Sequence, residues 1–186
     1  MQSLLKAVQS GDRETLQQVI SQIPDSFRPT EEDLLAVIDT MPLIVKQYTE
    51  PFSFELEGKQ NTWYQYVSLI WSLGESFRQI LLKNRDLRRK PALFSAIENV
   101  AMNVTFGKGR ESFVMLLGKY GGSDGVPVLR KLLMDSGVCG HAVYALRLLA
   151  APEAADDIRP FLESPRTWIR NEAKRYYKKV EHLQGK

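Results

Sequence analysis

Asp156 and Asp157 stand side by side in the stretch LLAAPEAADDIRPFLESPRTWIRNEA, residues 148–173, among three arginines, a tryptophan and three prolines. A carboxylate pair is what a glycosidase needs, one group serving as acid and the other as base or nucleophile across a bound sugar. Consecutive residues on a helix, however, diverge by about 100°. If this run is helical, the two carboxylates cannot converge on one substrate. Acids in the first turn of a helix also have a structural use, because they face the positive end of its dipole. The spacing therefore predicts helix-start residues and not a catalytic dyad.

Cys139 and His141 raise a second chemical option, a thiol nucleophile with its base or two metal ligands. Residues two apart on a helix point in different directions, so a nucleophilic pair in hydrogen-bond contact is not expected. With one cysteine and two histidines in the chain, no zinc-ligand spacing exists. The stretch FGKGRES, with Gly107 and Gly109, has the glycines of a phosphate loop but lacks G-x-x-x-x-G-K-[ST], and a turn between helices accounts for it. No catalytic residue, metal or cofactor is expected.

Positive charge is the remaining resource. Residues 1–75 hold 5 Lys/Arg and 11 Asp/Glu, while residues 76–186 hold 20 and 11, so a net −6 precedes a net +9. A basic half attracts an acidic protein, a nucleic acid or an anionic surface, or pairs with the chain's own acidic half. Arg166, Arg170, Lys174 and Lys178 recur every four residues and form one stripe if the segment is helical. Arg130, Lys131 and Arg159 lie earlier in the same basic region. Trp63, Tyr64, Tyr66, Trp71 and Phe77 form an aromatic group, read as Trp71 and Phe77 in the core with the other three at a loop–helix junction.

The elements that must carry these residues are helices. The segment LLKAVQSGDRETLQQVISQI places Leu4, Leu5 and Val8 before a break at Gly11, then Leu16, Val19, Ile20 and Ile23, with Asp12 as N-cap. PTEEDLLAVIDTM opens with Pro29-Thr30 and three acids, and WYQYVSLIWSLGESFRQILL has helical spacing throughout. Between them PFSFELEGKQNT, residues 51–62, alternates Phe52, Phe54 and Leu56 and reads as a short strand or extended loop. A basic connector, KNRDLRRK, leads to Pro91 and a further helix. With 44% hydrophobic and 25% charged residues and no run of 18 apolar ones, the composition predicts a soluble fold without a membrane span. The single cysteine fits a reducing cytoplasm, and the start of the chain reads as mature protein and not as a signal peptide.

From Gly109 the chain repeats. LLGKYGGSDGVPVLRKLLMDS aligns with ALRLLAAPEAADDIRPFLESP at an offset of 29, matching Leu117 to Leu146, Leu129 to Ile158, Arg130 to Arg159, and Leu132-Leu133 to Phe161-Leu162. The helix TWIRNEAKRYYKKV repeats the opening of the unit again. Such self-similarity predicts a helix–turn–helix unit stacked on its copy.

Ile169-Arg170 with Ala173, the turn Ala150-Ala151-Pro152-Glu153-Ala154, and Leu129 with Leu132-Leu133-Met134-Asp135 resemble HEAT repeats of the short bacterial type also found in phycobilisome-lyase proteins. The resemblance covers residues 109–182 and implies an all-α superhelix of about ten helices. It implies one domain over 1–186, with 1–60 as capping helices, 63–106 as a helical pair and 109–182 as the repeats. It also implies that Arg170 bonds an acid or carbonyls of the neighbouring unit, and that the second helices, with Arg130, Lys131 and Arg159, line a concave partner-binding side. The function expected from this is non-catalytic protein binding, as an adaptor, assembly factor or inhibitor, through Arg130, Lys131, Arg159, Arg166, Arg170 and Lys174. Two alternatives follow from HEAT-like relatives: a DNA-binding, alkylpurine-glycosylase-like protein, and a bilin lyase.

Overall fold

The computed structural model describes residues 6–7, 13–26, 29–49 and 62–184. The readings for Leu4, Leu5, Val8 and Asp12 and for Phe52, Phe54 and Leu56 lie outside the described residues, as do the side chains of Ile23, Trp63 and Tyr64. The chain is all-α: nine α-helices joined by short 3₁₀ turns, with no strand, make up the described residues. It divides into two compact units, Met1–Ser112 and Phe113–Lys186.

The first unit contains α1 (Arg13–Ser26), α2 (Glu31–Thr49), α3 (Thr62–Lys83) and α4 (Pro91–Met102), followed by the 3₁₀ segment Val104–Arg110. Helix α3 is its centre, packed against α1, α2 and the 3₁₀ segment. The buried stripe of α3 runs through Tyr66, Leu69, Ile70, Leu73, Phe77, Ile80 and Leu81. That stripe corrects the aromatic expectation. Tyr66 is buried, whereas Trp71 is 41% exposed, because residues one past the Ile70 position are turned about 100° away from the core face.

Local chemistry explains the helix ends. Thr30 and Asp33 form a reciprocal cap on α2: Asp33 Oδ2 accepts from the Thr30 amide at 2.9 Å, and the Asp33 amide donates to Thr30 Oγ1 at 3.3 Å. Glu32, at the same N-terminus, is held below the ordinary carboxylate range by hydrogen bonds from its own backbone amide and from Thr30. Helix α2 continues through Pro42 to Thr49, beyond the DTM at which the amphipathic pattern stops. Pro42 lies on the exposed side, where water can take the Ile38 carbonyl that it leaves without a donor. At the other end of α3, Arg88 folds back and donates to the carbonyls of Leu81 and Leu82, two of the acceptors that a helix C-terminus leaves unmet. The basic connector is thus partly a cap. Pro91 starts α4, as expected.

FGKGRES is a turn between helices. Gly107 has φ +54°, and a Cβ on Gly109 would sit 2.7 Å from Ile70 Cβ and from the Val67 carbonyl oxygen. Arg110 is buried and donates to the carbonyls of Gly107 (3.0 Å) and Ala101 (3.1 Å), so its charge closes the end of α4.

The second unit contains α6 (Val126–Leu132), α7 (Cys139–Leu149), α8 (Ala155–Ile158) and α9 (Thr167–Gln184), and most of α5 (Glu111–Tyr120). The 29-residue repeat is visible in it. The turn Gly122–Gly125 recurs at Pro152–Ala154, and the start of α6 recurs at the start of α8. Leu117, Leu146, Leu129 and Ile158 are all fully buried. The copies differ after Ile158. Pro160 cannot donate to the Asp156 carbonyl, so α8 stops and Arg159–Glu163 tightens into a 3₁₀ turn. Phe161 and Leu162 were expected as buried counterparts of Leu132-Leu133. Both are half-buried, since the turn redirects them and only α9 covers this last copy.

Candidate interaction surface

The basic residues singled out above belong, apart from the connector, to the second unit. The repeat places Arg130 on α6 and Arg159 at the start of the following 3₁₀ turn, at equivalent positions. Their surroundings differ. Arg130 Nε lies 2.5 Å from Asp157 Oδ2 in the next repeat, and that hydrogen bond raises the guanidinium pKa. Arg159 Nη2 lies 3.1 Å from Asp156 Oδ1 within its own turn. The two aspartates are therefore divided between two arginines, one bridging repeats and one local. Asp156 and Asp157 form no dyad. Lys131, beside Arg130, is exposed and has no ion-pair partner among the described residues, and Met134, just past α6, is 91% exposed.

Helix α9 has a sharply divided surface. Ile169, Glu172, Ala173, Tyr176 and Val180 are buried, and the opposite side carries Asn171, Lys174, Arg175 and Lys178. Arg166 is exposed just before the helix. Arg170 is only partly exposed: Nη1 donates to the carbonyls of Ser164 (2.5 Å) and Pro165 (3.1 Å), and Nη2 to Thr167 Oγ1 (3.1 Å). It closes the loop that ends the preceding repeat, so the four-residue stripe contains one member tied to backbone carbonyls and three free in solvent.

Trp168 is held in place by the repeat. Its Cη2 and Cζ2 atoms occupy the space where a Cβ on Gly140 would stand, 2.2 and 2.5 Å away. Its ring also tilts against His141 at 5.2 Å between centroids. It remains 44% exposed. His141 is half-buried, which lowers its pKa, and Cys139 Sγ faces the Ser136 carbonyl at 4.0 Å. Nothing brings thiol and imidazole together. Among the described residues no group of three or more His, Cys, Asp or Glu is placed to hold a metal ion.

Sequence reasoning missed the polar seam between α7 and α9. Glu172 is buried and accepts from Arg147 on α7 and from Arg175 on its own helix, each at 2.6 Å. Tyr176 donates its hydroxyl to the Ala151 carbonyl, Tyr177 donates to the Ala155 carbonyl at 2.5 Å, and Lys179 donates to the Leu148 carbonyl at 2.8 Å. Ala150 ends α7 in the left-handed region at φ +53°. Burial raises the Tyr176 phenol to about 12. The usable signal was the pair Tyr176-Tyr177 standing where the preceding unit has Ala145-Leu146. Large hydroxyl-bearing rings at positions held by small or aliphatic residues indicate a polar reach across the interface.

No protein-family model matches the chain, and no curated protein matches it. Three of the similar solved structures are engineered or designed proteins. An engineered protein from a structural genomics consortium has a TM-score of 0.46 and 16% identity, covering 96% of this chain and 47% of that one, so the chain spans about half its length. A second engineered protein has a TM-score of 0.41 and 16% identity, covering 96% and 95%. A designed armadillo repeat protein has a TM-score of 0.36 and 14% identity, covering 95% and 98%. No described helix is long and apolar enough to cross a membrane.

Proposed function

We propose that the chain is a non-catalytic protein-interaction module, with no cofactor, that binds an acidic partner through the basic surface of its second unit. The residues assigned to that surface are Arg130, Lys131 and Arg159 on the second-helix side, and Arg166, Arg170 and Lys174 around α9. One observation carries this reading. Three acids of the second unit are engaged by its arginines, Asp157 by Arg130, Asp156 by Arg159 and Glu172 by Arg147 and Arg175. Lys131, Arg166 and Lys174 are exposed, with no ion-pair partner among the described residues. The second unit holds 12 Lys/Arg against 8 Asp/Glu, and a surplus of exposed positive charge steers acidic partners. Adaptor, assembly-factor and inhibitor roles all fit such binding by stoichiometric contact.

The test is an affinity capture from the native host with cross-linking, repeated with Arg130, Lys131 and Arg159 reversed to glutamate. A protein partner recovered by the natural chain and lost by the variant is the expected result. Undiminished recovery removes the second-helix assignment, and recovery of nucleic acid alone removes the protein-binding class.

A further inference from the structure

Between Ser164 and Val180 the chain contains one carboxylate, Glu172, and it is buried and shared between Arg147 and Arg175. The outward side of α9 over this stretch is therefore uniformly positive. Lys174 and Lys178 are neighbours at i and i+4, both exposed and both without an ion-pair partner among the described residues. Like charges at that spacing destabilise a helix, a cost that an anion lying across them would relieve. At the N-terminal end of the same helix stands Trp168, a large aromatic surface left partly in water. The absence of a side chain at Gly140 admits the Trp168 ring edge, and His141 backs it. An aromatic already fixed before binding loses little conformational freedom on contact, which is how interface anchors act.

We propose that this side of α9 is a docking strip for an acidic segment of a partner protein, with Trp168 as its apolar anchor and Lys174 and Lys178 as its carboxylate contacts. The proposal rests on the protein-binding reading and narrows it to one helix and one kind of occupant. Trp168 and Lys178 are ten residues apart, about 15 Å along the axis. The occupant is then a short segment with an aliphatic or aromatic residue at one end and carboxylates roughly one helical turn apart at the other. Charge complementarity favours a peptide over a duplex. Arg170 and Arg175 are tied to carbonyls and to Glu172, leaving Arg166, Lys174 and Lys178 on this strip, few cations for the phosphate neutralisation on which duplex binding depends.

The experiment uses the whole chain and a fluorescent peptide with glutamates one helical turn apart and a single leucine. Its glutamine isostere, its leucine-to-serine version and an oligothymidine of equal charge serve as controls. The acidic peptide is expected to bind and the glutamine isostere not to bind. Lys174→Glu with Lys178→Glu should weaken binding about tenfold or more. Trp168→Ala should cost about tenfold with the leucine peptide and little with the serine version. All substituted side chains are exposed or partly so, and far-ultraviolet circular dichroism verifies that the variants keep their helices. If Arg130, Lys131 and Arg159 reversed to glutamate abolish binding while the Lys174/Lys178 variant keeps it, the strip is wrong and the protein-binding reading stands. If the oligothymidine binds as tightly as the peptide, or the peptide does not bind at all, the strip assignment is overturned. The host capture then decides separately whether the protein-binding class survives.

Discussion

Single residues in this fold carry polar duties that proline and the helix ends create. Pro24 lies inside α1 and has no amide hydrogen, so the carbonyl of Ile20 loses its helical donor. Ser76 of α3 supplies one, its hydroxyl donating to that carbonyl at 3.0 Å in a buried setting. Ser76→Ala should therefore cost about 1–3 kcal/mol, the penalty of an unmet buried acceptor. In a Pro24→Ala background, which restores the amide donor, the same substitution should cost clearly less. A double-mutant cycle by urea unfolding measures the difference, and equal costs in both backgrounds would rule out this account. Tyr176 offers a second measurement at the same scale. Its phenol, raised to about 12 in the fold, titrates near 10 when unfolded. The unfolded chain loses that proton first, so the contribution is intact below pH 10 and is lost as pH rises through 12. Unfolding monitored from pH 9 to 12 should show a decline of order 2–3 kcal/mol from this group, and Tyr176→Phe should flatten that part of the curve. A slope unchanged in the variant would assign the decline to other groups.

At the scale of elements, close helix approach decides what the second unit tolerates. A Cβ on Gly118 of α5 would lie 2.4 Å from the Ala145 Cα and 2.5 Å from its Cβ. The obstacle is backbone, which cannot rotate aside as a long side chain can. Gly118→Ala should destabilise by about 1–3 kcal/mol through forced separation of the helices, against the roughly 1 kcal/mol that alanine ordinarily gains over glycine within a helix. Thermal unfolding of the variant gives the sign, and a raised midpoint would mean that α5 and α7 part at little cost. This notch also shows what the sequence could and could not disclose. The repeat period was legible because apolar positions such as Leu117/Leu146 and Leu129/Ile158 recur in register and are buried in both copies. The helix starts were legible because Thr30 and Pro91 have capping chemistry of their own. The partners of Arg130, Arg147 and Arg170 were not, because the choice between an acid 27 residues away, one 25 away and nearby loop carbonyls depends on how the helices stack. Trp71 was misjudged for a related reason. Periodicity gave α3 an apolar stripe wide enough to include it, and only packing against α1 and α2 selected the Tyr66–Phe77 side.

Across the whole molecule the controlling quantity is charge distribution. The net −6 of residues 1–75 and +9 of residues 76–186 sum to +3, and the second unit, residues 113–186, carries 12 Lys/Arg against 8 Asp/Glu. Ion pairing there is selective. Four arginines have their guanidiniums engaged by carboxylates, and these include both repeat-equivalent positions. Lys131, Lys174 and Lys178 remain in solvent without such partners. Charges of that kind act at long range on encounter, before contact forms. Their reach follows the Debye length, about 10 Å at 0.1 M salt and 3 Å at 1 M. Association of a captured partner should therefore slow by about tenfold or more between those salt concentrations while dissociation changes far less. Lys131→Glu with Lys174→Glu and Lys178→Glu should remove most of the salt dependence of the association rate. Surface plasmon resonance resolves the two rates. If the salt effect falls on dissociation instead, the charges of these lysines are desolvated against the partner in the bound state, and the steering role is wrong.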